Sequence, residues 1–188
     1  MIEVGQLKTI KILGQIIGFI VLIFVMALVT LRFQYSEADG PSILFPGGEM
    51  TSGELHVGPE PDWSFTDEIY TVDLQLNEPI ASRRIFIIES EGKIYVVSGY
   101  MRSLLGRMWK EWAFEADAGN NEGVLRVNGI RYERRLVRIE DGDALNGVAA
   151  KLATKYGGAP APASEEVIRN TRASFESGNT WVFELQPR

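Results

Sequence analysis

The residues able to do chemistry are few, and their types exclude more than they select. The chain has one histidine, His56, and no cysteine. Ser-His-Asp chemistry would therefore have a single candidate base, and sites built from several histidines or from thiolates have no ligands. No partner residues cluster near His56 in the sequence, so it reads as a packed or solvent-facing side chain. No catalytic residue is assigned and no metal site is expected. What remains are cations and tryptophans. Arg126, Arg131, Arg134, Arg135 and Arg138 crowd one stretch, and they read first as partners of Glu133 and neighbouring acids across a sheet. Arg83 and Arg84 are open to either a structural or a binding use. Trp109 and Trp112 stand at i and i+3, a spacing that serves core packing more often than a ring site.

Composition narrows the class further. With 188 residues, 45% hydrophobic and 23% charged, the chain can form one ordinary domain and a short appendage. The net charge of −6 argues against general nucleic-acid binding, which needs cations to displace phosphate counterions. The missing cysteines also exclude a disulfide framework.

The elements that must position these residues begin with an apolar run. Residues 12–31 (ILGQIIGFIVLIFVMALVTL) carry no charge. As a helix they would be about 30 Å long, the thickness of a bilayer core. The run ends in VTLRF without a small-x-small cleavage site, which favours an uncleaved transmembrane helix over residues 12–32. Lys8 and Lys11 precede it, and after Arg32 no basic residue occurs until Arg83. The positive-inside rule therefore places residues 1–11 in the cytoplasm and the C-terminal domain outside it. Setting Lys8, Lys11, Arg32 and Glu3 apart from the 19 basic and 25 acidic residues leaves 16 against 24, a net of −8 beyond the span.

Residues 33–61 are rich in turn formers (ADGPS, FPGGE, TSGE, GPEP) and read as a tether and strap, with one short strand at 53–57. A folded domain spans 62–188. Strands are expected at 70–76, at 84–90 and 93–99 as a hairpin, at 124–127 and 130–139 around Asn128-Gly129, and at 180–185. Asn-Gly supplies the two positive-φ positions of a type I′ turn. One helix is expected from a Ser103 cap to Ala118, with Leu105, Met108, Trp109, Trp112 and Ala116 on one side. A second runs to Tyr156 with Leu145, Val148, Leu152 and Tyr156 as its buried stripe, and a third covers 164–175. The fold class is α+β: an N-terminal transmembrane helix, then a barrel of about six antiparallel strands with inserted helices.

The order of these elements resembles the split β-barrel superfamily of pyridoxamine-phosphate-oxidase-like flavin proteins, nearest to its deazaflavin-dependent nitroreductase branch. The resemblance is carried by KIYVVSG (93–99), MWKEWAFEA (108–116), GVLRVNGIRYERRLVRI (123–139), Lys155-Tyr156 and WVFELQPR (181–188). PGGEMTSGE and PDWSFTDEI look like segments of uncharacterised membrane-anchored relatives. The segment 119–123 (GNNEG) lengthens the stretch between Trp112 and the next strand relative to the flavin-binding branch.

This resemblance implies a homodimer through the barrel and FMN or deazaflavin as cofactor. By analogy with the branch's phosphate-binding loop, the cofactor-binding residues would be Arg102, Arg107 and Lys110, with Trp109 or Trp112 near the ring. The implied function is a membrane-anchored oxidoreductase acting on a small or membrane-borne acceptor. The alternative is a non-catalytic accessory or binding subunit of a membrane complex that keeps the barrel without a cofactor. A haem-binding variant would need His56 or an unusual axial ligand.

Overall fold

In a computed structural model of the chain, residues 4–43 and 45–188 are described. Helix α1 (Val4–Tyr35) has 32 residues. The part from Lys8 to Tyr35 is long and apolar enough to cross a membrane, and none of its most apolar stretch is buried against the rest of the chain. It is therefore no core helix of this domain, which fits its lack of a polar face.

After α1 come β1 (Glu54–Leu55), a 3-10 helix (Trp63–Glu68), β2 (Thr71–Asn77), β3 (Ile80–Ser90) and β4 (Lys93–Ser98). Helices α2 (Leu104–Trp109) and α3 (Glu111–Asp117) precede β5 (Glu122–Val127) and β6 (Ile130–Ile139), followed by α4 (Ala144–Lys155), α5 (Glu165–Glu176) and β7 (Trp181–Pro187). The strands run in the order β6-β5-β2-β3-β4-β7, and β7 pairs back onto β6, so six antiparallel strands close a barrel. Closure leaves the barrel proper without free edges. The short β1 adds to β6 in parallel, with Glu54 opposite Ile130.

Strand alternation builds two cores. The inward face of β2 carries Val72, Leu74 and Leu76, which join Ile85, Ile87, Val96, Leu125, Leu136 and Phe183 inside the barrel. The outward face of β4 carries Tyr95 and Val97, which pack with Ile88 and Val182 against Leu145, Val148 and Ala149 of α4 and Phe175 of α5. Each fully buried Val, Leu, Ile or Phe side chain among them contributes about 1.5–3 kcal/mol relative to exposure. The α4 stripe is the expected one, with Leu152 and Tyr156 partly buried at its margin. Ser164 caps α5 by accepting from Val167 N.

The hairpin turns follow their sequence. Asn128 and Gly129 take φ values of 49° and 79°, as a type I′ turn requires. GNNEG is not an open loop. Gly119 ends α3 with φ 112°, and Glu122 and Gly123 already belong to β5. Gly123 is needed there, because a Cβ would collide with the Gln75 carbonyl of β2.

The expected single helix from Ser103 to Ala118 is two helices, and this corrects the reading of its face. Ser103 does cap the start, accepting from Gly106 N at 2.9 Å. Lys110 then leaves helical geometry, with φ −113° and ψ 25°. The break separates the two tryptophans: Trp112 is 3% exposed and packs on Phe183, whereas Trp109 is 70% exposed. The side chains of Leu105 and Met108 lie outside the described residues.

Several residues of 36–43 and 45–61 bond to the barrel. Gly47 bridges to Ser82, Met50 is buried and its N–H bonds Gln75 Oε1, and His56 N bonds Arg131 O. Two ion pairs hold the strap. Asp39 meets Arg126 at 3.0 Å, and Glu60 grips the buried Arg134 through both oxygens at 2.6 and 3.2 Å.

Candidate functional site

The arginine run on β5 and β6 is spoken for by local partners. Arg126 bonds Asp39, Asp73 and Ser52, and Arg131 donates to the carbonyls of Gly53 and Met50. Arg134 sits between Trp63 and Tyr132 and is neutralised by Glu60. Arg135 pairs with Glu122; Arg138 pairs with Asp117 and Glu140 and lies 3.8 Å from the Trp181 ring centroid. The cross-strand reading holds in kind, although most of the acids come from the strap and neighbouring strands rather than from Glu133, which meets Arg188.

His56 is likewise structural. Its Nε2 lies 2.9 Å from Pro59 O and its ring sits beside Tyr132. Lys155-Tyr156 latches α4 to the barrel. Lys155 Nζ donates to Thr66 O and Ile87 O, and the Tyr156 hydroxyl accepts Ile87 N–H at 3.1 Å while lying 2.6 Å from Ile87 O. Burial pushes the Tyr156 hydroxyl up to about 12, so it remains a protonated donor.

A different place gathers unpaired cations. A cleft of about 760 Å³ lies where the C-terminal end of α1 meets the barrel. Its walls are Val29, Arg32 and Phe33 of α1, the loop around Ile43 and Phe45, the start of β3, and the junction of α2 and α3. Arg83, Lys110 and Trp112 reach it, with Trp109 on its rim. Arg83 shares the inward face of β3 with Ile85 and Ile87, so strand alternation aims its stem at the barrel interior.

The Arg83 guanidinium lies 5.8 Å from the Trp112 ring centroid, and its Nε is buried without a hydrogen-bond partner. Arg83 as a whole is half-buried, and a cation withdrawn that far from water is ordinarily paired. Burial pushes the Arg83 guanidinium down to about 10, with Glu111 opposing that shift through space and Arg32 adding to it. Lys110 is also lowered, by burial first and by the Arg83 charge second. Among the described residues neither side chain has an acid within ion-pair distance, although Glu111 and Glu115 line the same cleft.

Of the five cofactor-binding residues expected from the sequence, the cleft brings together Lys110, Trp109 and Trp112. It does not include the other two. Arg102 is exposed and donates to Ser177 O at the end of α5, and Arg107 is exposed on α2. Sequence reasoning left Arg83 open. The available signal was its period-two register with Ile85 and Ile87, which makes it an inward-facing charge.

A smaller cavity of about 290 Å³ lies beside β2 and the β5–β6 turn. Its charged groups, Asp73, Arg84 and Arg126, already satisfy one another.

No family model matches the chain, and no curated protein matches it. The fold is similar to that of a solved structure, the conserved hypothetical protein Rv2991 from Mycobacterium tuberculosis, with a TM-score of 0.51. The identity is 12%, over 72% of this chain and 83% of that one, and at that level the likeness extends to the barrel fold alone.

Proposed function

We propose that this chain is a membrane-anchored barrel whose cleft binds the phosphate end of a flavin-type cofactor, FMN or deazaflavin. The observation that supports the reading is the uncompensated pair Arg83 and Lys110 at the cleft floor. A phosphate would give Arg83 and Lys110 the counter-charge they lack, and so offset the burial, and after it the Arg83 charge, that lower Lys110. The donor chemistry and the volume fit such a group, and Trp109 offers an exposed aromatic face at the mouth. When bound, such a cofactor supplies hydride or electron transfer, and the chain's own part is to hold, orient and shield it. The reading carries with it a homodimer through the barrel, an extracytoplasmic domain, and action on a small or membrane-borne acceptor.

The test is a spectral titration of the full chain in detergent with FMN and with deazaflavin. One ligand per chain, displaced by inorganic phosphate, is the expected result; no saturable change with either sinks the cofactor reading.

A second reading, a cofactor-free accessory subunit of a membrane complex, is favoured by Tyr100 and Leu104, which are 72% and 78% exposed beside α2. Large exposed apolar groups close together suit a partner surface. A chain that binds neither flavin and co-purifies with a membrane complex would support it.

A further inference from the structure

The rim of the cleft is as unusual as its floor. Four large apolar side chains surround it from four separate segments: Phe33 of α1, Ile43 of the following loop, Ile80 at the start of β3, and Trp109 of α2. They are 72%, 85%, 55% and 70% exposed. Apolar groups gathered from four segments and left open to water mark a contact surface rather than an incomplete core. We propose that this rim is a lipid-contact surface, lying in the headgroup layer of the bilayer that α1 crosses, so that the cleft opens into that layer.

Continuity with the membrane helix singles out the occupant. Phe33 lies two residues beyond the uncharged run 12–31. Any bilayer that holds this run ends within a turn of the rim. Aromatic side chains favour that depth, because their rings are apolar and their edges tolerate water. Arg32 lines the same cleft and can extend its guanidinium to the headgroups while its stem stays among the apolar side chains. A molecule entering the cleft then arrives from the bilayer side, which selects the membrane-borne member of the two acceptor classes. The inference rests on the anchored reading of α1 and is independent of which cofactor, if any, occupies the floor.

Trp109 makes the test direct. Trp63 and Trp112 are 1% and 3% exposed and Trp181 is partly buried, so lipid-borne quenchers reach Trp109 first. The full chain is reconstituted into phosphatidylcholine–phosphatidylglycerol vesicles containing lipids brominated close to the headgroup, and vesicle flotation is followed alongside tryptophan emission. We expect the chain to float, its emission to be quenched, and Trp109→Phe to abolish most of that quenching. A second probe uses the absence of native cysteine. An environment-sensitive fluorophore on Ile80→Cys should shift to the blue when vesicles are added. A chain that floats but shows the same quenching in Trp109→Phe, with the Ile80→Cys label still in water, overturns the rim contact and leaves the anchor standing. A chain that does not float overturns the anchored reading, and the rim contact with it.

Discussion

The β5–β6 arginine run and the cleft carry similar charge and opposite chemistry. On the run, five arginines are held by acids or carbonyls from the strap, the neighbouring strands, the end of α3 and Glu140 just past β6. At the cleft, Arg83 and Lys110 form no ion pair among the described residues: burial lowers both, Glu111 offsets the shift of Arg83 only through space, and the Arg83 charge adds to that of Lys110. Compensation, not density of charge, separates a structural cation from a binding one. A paired cation gives up little by having no ligand. One that is half-buried with no ion pair is destabilising until an anion arrives.

That contrast can be broken most forcefully at Glu60. Replacing it with Gln strands the buried Arg134 and should cost about 3 kcal/mol, the low end for breaking a buried pair because Glu60 is partly exposed. Thermal unfolding of the full chain in detergent reads this as a large fall in melting temperature. The cleft should respond with the opposite sign. Arg83→Met removes a half-buried charge that has no ion-pair partner among the described residues and should stabilise the ligand-free chain by about 1 kcal/mol, a rise of roughly 2–4 °C in Tm. A fall of similar size would mean that Arg83 is structurally compensated after all.

Asp39 gives a smaller effect with a defined pH window. The Ser52 hydroxyl, the amides of Thr51 and Ser52, and Arg126 together hold its carboxyl down to about 2 against burial, from an ordinary 3.8. A depressed carboxylate contributes stability that is fully present above pH 3.8 and lost as pH falls through about 2. Asp39→Asn should therefore flatten that part of the stability–pH curve and leave the curve near neutrality parallel to the parent's. The smallest effect belongs to Arg135, whose pair with Glu122 is solvent-exposed on both sides. Arg135→Ala should change stability by no more than about 0.5 kcal/mol.

Much of the architecture was legible. Alternation found the barrel strands, Asn128-Gly129 marked its hairpin, and Ser103 and Ser164 marked two helix starts, because each of these is a local preference that the tertiary structure reinforces. Strand β3 begins at Ile80 rather than at residue 84, because its first residues are paired by β2 and the strap instead of announcing themselves by alternation. The candidate site was legible only in part. Lys110, Trp109 and Trp112 were singled out, but the break at Lys110, which buries one tryptophan and exposes the other, has no local sequence mark beyond Gly106. Arg83 is close to the strap, β2 and α3 only once the barrel closes, so its lack of a partner is a property of the fold and not of any window of sequence.

The most direct test of the account compares Arg83→Met with Arg135→Met in one equilibrium titration of the full chain with FMN, followed by flavin fluorescence and repeated across pH. The account predicts saturable binding that Arg83→Met weakens at least about tenfold, equivalent to about 1.4 kcal/mol, and that Arg135→Met leaves intact. Affinity should also fall as pH rises into the alkaline range, as Lys110, lowered by burial first and by the Arg83 charge second, loses the proton that attracts phosphate while Arg83 stays charged. Equal binding by both variants, or affinity that is indifferent to pH over that range, would contradict the claim that the unpaired cations of the cleft are the anion site.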